Sequence, residues 1–369
     1  MKILFVTNVP SPYRIDFFNE LGKYCDLTVC FERKSASDRH EKWKGTAVEN
    51  FKSVELNLKP HKEDRSRGNE IRDYVKQTDC DLLIFTNYVS PATMKAISYC
   101  RRKNKKYFIE YDGGFYKVDS LMKKIVKKYL LCGAEGHFTT CEEHKKYLMS
   151  IGIHERKIWK YPFTSVVEND LTNARGLLAE GKETLRKKLG IEEDRVVISV
   201  GRFVYIKGFD ILLNAVNKID RTIGVYIVGG DPTEEYLNMQ KEFKLDNVHF
   251  IGFKTKPELA EYYAASDLYV MPTREDVWGL VVNEAMSFGL PVISSDACNA
   301  ALEMVKNGEN GYIVPSENVD ELANKIELLM SDEEKLKTFS ENCLEVIKQY
   351  TVEKMAQRHY EIFKEIIGE

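Results

Sequence analysis

The sequence has no hydrophobic run long enough to cross a membrane. None of its 18-residue stretches is continuously apolar, and the N-terminal apolar run 3–6 turns polar at Thr7 and Asn8. A spanning helix needs about 20 predominantly apolar residues, and a secretory signal needs a basic start followed by an apolar segment. We therefore expect neither a membrane-spanning helix nor a signal peptide.

Paired cysteines are missing as well. The chain has eight cysteines with no CxxC spacing among them: Cys25, Cys30, Cys80, Cys100, Cys132, Cys141, Cys298 and Cys343. A chain of this size does not need disulfides to hold a core, and scattered cysteines beside apolar residues are typical of reduced core thiols. This pattern predicts a cytoplasmic protein.

Repeats, low-complexity segments and an excess of glycine or proline are also lacking. The 369 residues are 43% hydrophobic and 30% charged, which is typical of globular proteins and predicts two domains at about 100–200 residues each. The net charge of −3 hides an asymmetry, because residues 1–190 carry 36 basic and 25 acidic side chains (+11) and residues 191–369 carry 18 and 32 (−14). The basic first half suggests an anionic partner. The alternative is that the charged side chains of both halves only face solvent.

Short apolar runs separated by helix-length segments occur in two series. They lie at 3–7, 27–31, 82–86 and 107–110, and then at 196–200, 225–228, 248–251, 268–271 and 291–294. Such runs predict parallel sheets built from βαβ units, so the fold class is α/β with two doubly wound domains. We expect domains at 1–165 and 191–350, a connection at 166–190 and a C-terminal helix at 351–369 that crosses back to the first domain. The ligand is expected in a cleft at the carboxyl ends of the strands.

A cationic loop follows the first strand of the second series. Residues 201–208 read GRFVYIKG, and a helix is predicted directly after them. Glycine permits a tight turn at the end of the strand, while Arg202 and Lys207 place two cations where a ligand diphosphate would lie. A solvated turn with two surface cations is the alternative.

An acidic segment follows the strand 268–271. Asp276 and Glu284 are eight residues apart, the first in a loop and the second in a predicted helix that begins near Gly279 and Leu280. Carboxylates accept hydrogen bonds from sugar hydroxyls, and a helix N-terminus offers free N–H groups to a phosphate. A solvated acidic loop before an ordinary helix is the alternative.

Several common motifs are absent. Neither GxxxxGK[ST] nor a GxGxxG after a first strand occurs, and no motif resembles those that read RNA or DNA. Asp79 and Asp81 form a DxD pattern, but it leads into the run 82–86 and is interpreted as a turn. The seven histidines do not cluster. We therefore expect no metal and no nucleic acid.

Together the GRxxxxKG loop, the acidic-x7-Glu segment and the GLPVI run at 289–293 resemble the donor-binding half of family 4 retaining glycosyltransferases of GT-B fold. The segments NVPSPYR at 8–14 and DGG at 112–114 resemble bacterial surface-polysaccharide members of that family. This sequence departs from the family in having Asp276 where Glu is usual, with Glu275 beside it. It also has Val9, Pro10 and Ser11 where two glycines are usual.

The resemblance implies a role for each matching residue. Arg202 and Lys207 would bind the donor diphosphate, Glu284 the ribose, and Asp276 the transferred sugar, with Glu275 as the alternative contact. The full expected donor set is Gly201, Arg202, Lys207, Ile251, Gly252, Phe253, Glu275, Asp276, Gly279, Leu280, Val281 and Glu284, in which the turn 251–253 lies near the base. Arg202, Lys207, Asp276 and Asp112 are the expected catalytic residues.

The resemblance also implies the reaction and its partners. A sugar would pass with retained configuration from a nucleotide sugar, UDP-sugar being the expected class, to a glycan or lipid-linked glycan in cell-surface polysaccharide synthesis. No cofactor is implied, because the nucleotide sugar is a co-substrate. Tyr13, Arg14, Asp112 and Gly113 are the expected acceptor residues. A same-fold nucleotide-sugar epimerase and a non-catalytic polyanion- or membrane-binding protein are the alternatives.

Basic and apolar residues interleave at 117–131. Lysines at 117, 123, 124, 127 and 128 alternate with Leu121, Met122, Ile125, Val126, Leu130 and Leu131. This pattern is typical of an amphipathic helix on an anionic membrane, and it would place the protein peripherally at the inner face of the cytoplasmic membrane. A helix whose apolar side packs on the sheet, with its lysines in water, explains the pattern equally well.

Overall fold

The computed structural model describes residues 1–33, 47–56, 69–115 and 120–368, which fall into two compact units. The first unit comprises Met1–Thr164 and Val352–Glu369, and the second comprises Ser165–Thr351. Residues 166–190, expected to connect two domains, form two helices of the second unit. Lys117 lies outside the described residues.

The first unit is built on a parallel seven-stranded sheet with the order β3-β2-β1-β4-β5-β6-β7. Its strands are β1 (Lys2–Thr7), β2 (Asp26–Phe31), β3 (Lys52–Glu55), β4 (Leu82–Phe85), β5 (Phe108–Glu110), β6 (Gly136–Thr139) and β7 (Ile158–Lys160). The first helices along the chain are α1 (Pro12–Leu21), α2 (Glu70–Gln77), α3 (Pro91–Arg102), α4 (Leu121–Leu131) and α5 (Glu142–Ser150).

The second unit has a parallel six-stranded sheet with the order β10-β9-β8-β11-β12-β13. The strands are β8 (Arg195–Val200), β9 (Ile223–Val228), β10 (Val248–Ile251), β11 (Leu268–Met271), β12 (Val292–Ser295) and β13 (Gly311–Val314). The helices are α6 (Glu168–Glu180), α7 (Lys182–Leu189), α8 (Phe209–Val216), α9 (Glu234–Glu242), α10 (Lys256–Ala265), α11 (Leu280–Ser287), α12 (Asn299–Met304), α13 (Val319–Met330) and α14 (Glu333–Ile347).

The last helix, α15 (Val352–Ile367), returns to the first unit and packs on α1. It buries Met355, His359 and Phe363, whose spacing of four residues places them on one face. The ring centroid of Phe363 lies 6.4 Å from that of Phe5 in β1. The expected return of the C-terminal helix to the first domain is confirmed.

Helices cover the faces of both sheets, so central strands such as β4 and β9 are buried along their whole length and consist of apolar runs. In each sheet the strand order reverses direction at one place, between β1 and β4 in the first and between β8 and β11 in the second. Ligands of doubly wound folds bind at the carboxyl ends of the strands at such a place. The loops after β8 and β11 are therefore the first place to look for a site.

Candidate active site

In the second unit, the loops that follow β8 and β11 are joined by hydrogen bonds. The carbonyl of Ile206 accepts from the Arg274 amide at 2.8 Å and from the Thr273 hydroxyl at 2.7 Å. Gly208 makes this approach possible, because its φ is +69° and a Cβ there would lie 2.0 Å from the Pro272 carbonyl oxygen. Only glycine fits this position without movement of the backbone.

This approach brings together two of the expected site residues, Lys207 and Asp276. Lys207 Nζ donates to Asp276 Oδ2 at 2.5 Å, and the two side chains are 18% and 19% exposed. The other carboxylate oxygen of Asp276 accepts from the Trp278 amide at 3.3 Å. A cation and a carboxylate thus face each other at the edge of the sheet, where either could turn to a ligand.

A third charged residue, Arg274, fixes the two loops to each other. Its guanidinium donates to both carboxylate oxygens of Asp210 at 2.8 and 2.6 Å and to Glu317 Oε1 at 2.7 Å. It also lies 3.9 Å from the ring centroid of Tyr205. Burial raises the pKa of Asp210, but the bonds from Arg274 outweigh it and the net shift is downward. The sequence analysis missed Arg274, whose role depends on partners 64 and 43 residues away.

The other loop cation, Arg202, has a different environment. Its side chain is exposed and makes no hydrogen bond or ion pair with any residue in the described ranges. The preceding Gly201 is held in place, since its amide donates to the Val228 carbonyl at 2.9 Å. Arg202 is therefore a charge on a fixed loop with its donors unused.

The start of α12 holds the loop 276–279 in place through hydrogen bonds. The Asn299 side chain donates to the Val277 carbonyl at 2.7 Å, and the Ala300 amide donates to the Trp278 carbonyl at 2.8 Å. Gly279, with a φ of +101°, then starts α11, and a Cβ there would lie 2.6 Å from Cys298 Sγ. The first amides of α11, including those of Leu280 and Val281, have no partner four residues back within the helix and are suited to bind a phosphate.

Glu284 extends from α11 toward a cavity of about 300 Å³ between α6, α10 and α11. Its carboxylate accepts from the Ser165 hydroxyl at 3.1 Å and from the Tyr263 hydroxyl at 3.4 Å. Burial raises the pKa of Glu284, and nearby Lys256 opposes that shift. Lys256 also pairs with Asp170 of α6 at 2.6 Å.

The remaining residues of the expected donor set lie apart from these contacts. Ile251, Gly252 and Phe253 follow one another at the end of β10, and none of them lines the cavity beside Glu284. Glu275 is half-buried next to Asp276, and its amide donates to the Thr273 hydroxyl at 3.3 Å. Of the two neighbouring acids, Asp276 is the one paired with Lys207.

In the first unit, the expected acceptor residues form one cluster. Arg14 is 3% exposed and donates to both Glu110 and Asp112, while the Tyr13 hydroxyl donates to Asp112 Oδ2 at 3.2 Å. Asp112 follows β5, its side chain is 37% exposed, and Gly113 next to it has a φ of +126°. Arg14 is thus an internal partner of Asp112 rather than a solvent-facing cation.

Two members of this cluster were missed by the sequence analysis. Glu110 is fully buried in β5, and its second oxygen lies 3.2 Å from His359 Nε2 of α15. Burial raises the pKa of Glu110, but Arg14 and His359 outweigh it and lower the pKa to about 2. For Asp112, burial dominates and raises the pKa. The sequence contains one indication of the role of Glu110, because it is a charged residue within the apolar run 107–110.

The two aspartates of the DxD pattern, and His137 and His144, have structural partners. Asp79 Oδ2 accepts from Lys2 Nζ at 3.3 Å, and Asp81 Oδ2 accepts from the Lys2 amide at 2.7 Å, beside the start of β1. His137 and His144 do not share a helix, because His137 lies in β6. Within residues 1–33, 47–56, 69–115 and 120–368, no three metal-ligating side chains form a group that could hold an ion.

Comparison with known families decides the class of protein. Residues 181–345, which include both loops and α11, match the family model of glycosyl transferases group 1. These residues form a group 1 glycosyltransferase domain. The chain is 26% identical over 295 residues to an uncharacterized glycosyltransferase of Haemophilus influenzae, covering 78% of this chain and 77% of the relative.

Other relatives agree with this class. The N,N'-diacetylbacillosaminyl-diphospho-undecaprenol alpha-1,3-N-acetylgalactosaminyltransferase of Campylobacter jejuni is 22% identical over 231 residues, which span 61% of this chain and 59% of the relative. Among solved structures, Anabaena Alr3699/HepE in complex with UDP superposes with a TM-score of 0.77 at 19% identity, covering 99% of this chain and all of that one. The fold is that of GT-B glycosyltransferases, and residues 181–345 are similar to glycosyltransferases of group 1.

Proposed function

We propose that this glycosyltransferase is a retaining enzyme of family 4 that uses a UDP-sugar. It transfers the sugar to a glycan or lipid-linked glycan in cell-surface polysaccharide synthesis, at the inner face of the cytoplasmic membrane. The observation that carries the proposal is the arrangement of Arg202, Lys207 and Asp276 beside the start of α11, on the two loops where the strand order of the second sheet reverses.

The donor diphosphate binds the two cations in this proposal. Arg202 has unused donors, and Lys207 exchanges its bond to Asp276 for one to a phosphate oxygen. The first amides of α11, at Gly279, Leu280 and Val281, complete the phosphate site. Once Lys207 has turned to the phosphate, the freed carboxylate of Asp276 accepts hydrogen bonds from the hydroxyls of the transferred sugar.

Glu284 binds the ribose in this proposal. Its carboxylate already accepts from two hydroxyl donors, Ser165 and Tyr263, so its orientation is set before the ligand arrives. The cavity of about 300 Å³ beside it has room for part of a nucleoside, while the turn 251–253 at the end of β10 contacts the base. The choice of UDP is supported by the complex of the structurally similar Anabaena protein, which contains UDP.

The reaction keeps the configuration of the anomeric carbon. The acceptor hydroxyl oxygen bonds to the anomeric carbon, the bond from that carbon to the diphosphate oxygen breaks, and the hydroxyl proton passes to the leaving diphosphate. All of this occurs on one face of the sugar, so no carboxylate nucleophile of the kind used by retaining hydrolases is needed. Arg202, Lys207 and the α11 amides then act by stabilising the negative charge that develops on the leaving group.

The acceptor binds the Asp112 cluster of the first unit in this proposal. The Asp112 side chain is partly exposed, so its carboxylate is able to accept a hydrogen bond from a sugar hydroxyl. Tyr13 and Arg14 hold it in place, and the turn at Gly113 gives the acceptor access to it. A lipid-linked acceptor is supported by the Campylobacter jejuni relative, whose name specifies one.

The alternative of a nucleotide-sugar epimerase is less well supported. Such an enzyme needs general acid and base groups at the sugar ring. The single histidine of the second unit, His249, pairs with Glu193 Oε1 at 2.6 Å, and Glu193 precedes β8 at the amino end of the sheet. The functional loops lie at the opposite end of the same strand.

Single substitutions of the two loop cations test the proposal. In Arg202→Ala and Lys207→Ala, transfer from the preferred donor should fall by about 10²- to 10³-fold, the usual effect of removing one group that stabilises transition-state charge. Lys218→Ala is the control, because Lys218 forms an exposed ion pair with Asp320 away from the loops. The anomeric configuration of the wild-type product, determined by NMR, should be the same as that of the donor sugar. An inverted product would overturn the retaining assignment, and unchanged rates in both variants would overturn the site.

A further inference from the structure

Helix α4 of the first unit exposes its apolar side. The side chains of Leu121, Met122 and Ile125 are 75%, 71% and 56% exposed, and those of Val126 and Tyr129 are 37% and 44% exposed. Leu121, Ile125 and Tyr129 follow one another at intervals of four, as do Met122 and Val126, so all five lie on one face. Of the two interpretations left open by the sequence, the one in which the apolar side of this helix packs on the sheet does not agree with these exposures.

The protein instead holds α4 by its end and by its opposite side. Leu130 and Leu131, in the last turn, are buried in the core of the first unit. Lys127, on the side away from Met122, lies with its Nζ 5.6 Å from the ring centroid of Tyr147 in α5. These contacts turn the apolar face outward from the unit.

Lysines border this outward face, and α4 contains no acidic residue. Lys123, Lys124 and Lys128 are exposed beside the apolar side chains. Arg102, Lys103 and Lys106, at the end of the neighbouring helix α3 and just beyond it, are exposed too. The surface therefore combines about two and a half turns of apolar side chains with exposed basic side chains on α4 and on the neighbouring α3 segment.

We propose that α4 docks on an anionic lipid bilayer, lying in the plane of the membrane. The apolar face enters the boundary between headgroups and acyl chains, and the lysines at its edges contact anionic headgroups. Charge complementarity favours lipid over a second copy of the chain, because two α4 helices facing each other would bring six exposed lysines together. No helix in the described ranges is both long and apolar enough to cross a bilayer.

Vesicle binding tests the proposal on the full chain. Sedimentation with vesicles of phosphatidylcholine alone is compared with sedimentation with vesicles that also contain phosphatidylglycerol. We expect the wild type to bind only the second kind and to be released at high salt. Each lysine near an anionic surface contributes about fivefold in affinity, so Lys123→Gln/Lys124→Gln should weaken binding about thirtyfold.

Two further variants separate the apolar contribution from a general change in charge. Met122→Asp/Ile125→Asp should abolish vesicle binding, and it removes no buried packing because both side chains are exposed. Leu328→Asp is the control, since Leu328 is a 39% exposed apolar residue of the second unit, and it should bind vesicles like the wild type. Hydrolysis of the donor sugar in solution should be the same in all of these variants, so failure of membrane binding is distinguishable from failure of the proposed transferase activity.

Three results would overturn the proposal. The first is equal binding of the wild type to neutral and anionic vesicles. The second is equal binding of Met122→Asp/Ile125→Asp and the wild type to anionic vesicles. The third is a wild-type dimer in light scattering that binds no vesicles and becomes monomeric in Met122→Asp/Ile125→Asp, which would make this face a contact between copies of the chain.

Discussion

Replacement of Asp276 by asparagine should have opposite effects on nucleotide binding and on sugar transfer. In the free enzyme the Asp276 carboxylate holds the Lys207 ammonium at 2.5 Å. The proposed mechanism requires Lys207 to leave this partner for the donor diphosphate. Asp276→Asn keeps the shape of the side chain and removes the competing charge, so UDP should bind more tightly while sugar transfer slows.

The magnitude follows from the burial of this ion pair. Both side chains are less than one-fifth exposed, so solvent screens their attraction less than that of an exposed pair, which contributes about 0.2–1 kcal/mol. We take about 1 kcal/mol as the free energy of the Lys207–Asp276 interaction that is lost when Lys207 turns to the diphosphate. Because Asp276→Asn removes this loss, UDP should bind about fivefold more tightly to the variant. Loss of a hydrogen bond between the charged carboxylate and the sugar costs about 1.5–3 kcal/mol, so transfer should fall by about 10- to 150-fold.

Calorimetric titration with UDP and steady-state transfer rates measure the two effects separately. Glu275→Gln is the matched control, because it changes the neighbouring acid and leaves the pair with Lys207 intact. Weaker UDP binding in Asp276→Asn would refute the reasoning about competition for Lys207. A loss of transfer confined to Glu275→Gln would refute the assignment of the sugar contact to Asp276.

Three further predictions concern the packing that supports the site. Gly208→Ala should lower the free energy of unfolding by about 1–3 kcal/mol, read from urea titration, because the added Cβ would lie 2.0 Å from the Pro272 carbonyl oxygen and the backbone would have to shift. Ser165→Ala should raise the donor KM about fivefold with little change in kcat, because one hydrogen bond that orients Glu284 is lost. Burial lowers the pKa of His137 to about 3 and of His144 to about 4, so below pH 6.5 only the unfolded chain takes up these two protons. Stability, measured by urea titration at several pH values, should fall as the pH drops from 6.5 toward 5, with a slope approaching about 2.7 kcal/mol per pH unit.

Each of these predictions has a control. Gly230→Ala lies at another positive φ, but its Cβ would meet nothing within 4 Å, so it should cost less than Gly208→Ala. Ser165→Thr keeps the hydroxyl and should restore the wild-type KM, whereas a purely structural role would leave Thr as impaired as Ala. His137→Gln/His144→Gln should flatten the acid slope, and an unchanged slope in that variant would exclude these two rings as its cause.

The central strands could be predicted from the sequence because a doubly covered parallel sheet requires continuous apolar runs. The runs at 196–200 and 268–271 correspond to β8 and β11, whose adjacency places the two functional loops together. The strands β3, β6, β7 and β13 were not located by this signal. Three residues of β3 are exposed, and β6 begins with glycine and histidine, so neither has an apolar run that stands out.

The side-chain partners could not be predicted in the same way. Lys207 and Asp276 are 69 residues apart, and their contact depends on two loops brought together by the sheet. The Arg14 cluster likewise includes His359 of the last helix, 249 residues from Glu110. For α4, periodicity identified the amphipathic helix, but only the tertiary structure shows which of its sides faces the protein.

The central claim is that Arg202, Lys207 and the start of α11 form the diphosphate site of a nucleotide sugar. Thermal unfolding with UDP-, GDP-, dTDP- and ADP-sugars at millimolar concentration tests it most directly, because a ligand at about 100 times its Kd stabilises the native state by about 2.7 kcal/mol. We predict that the UDP-sugars raise the Tm of the wild type and of Lys218→Ala but leave that of Lys207→Ala unchanged. An equal shift in Lys207→Ala, or no shift with any donor even when membrane extract supplies an acceptor, would contradict the claim.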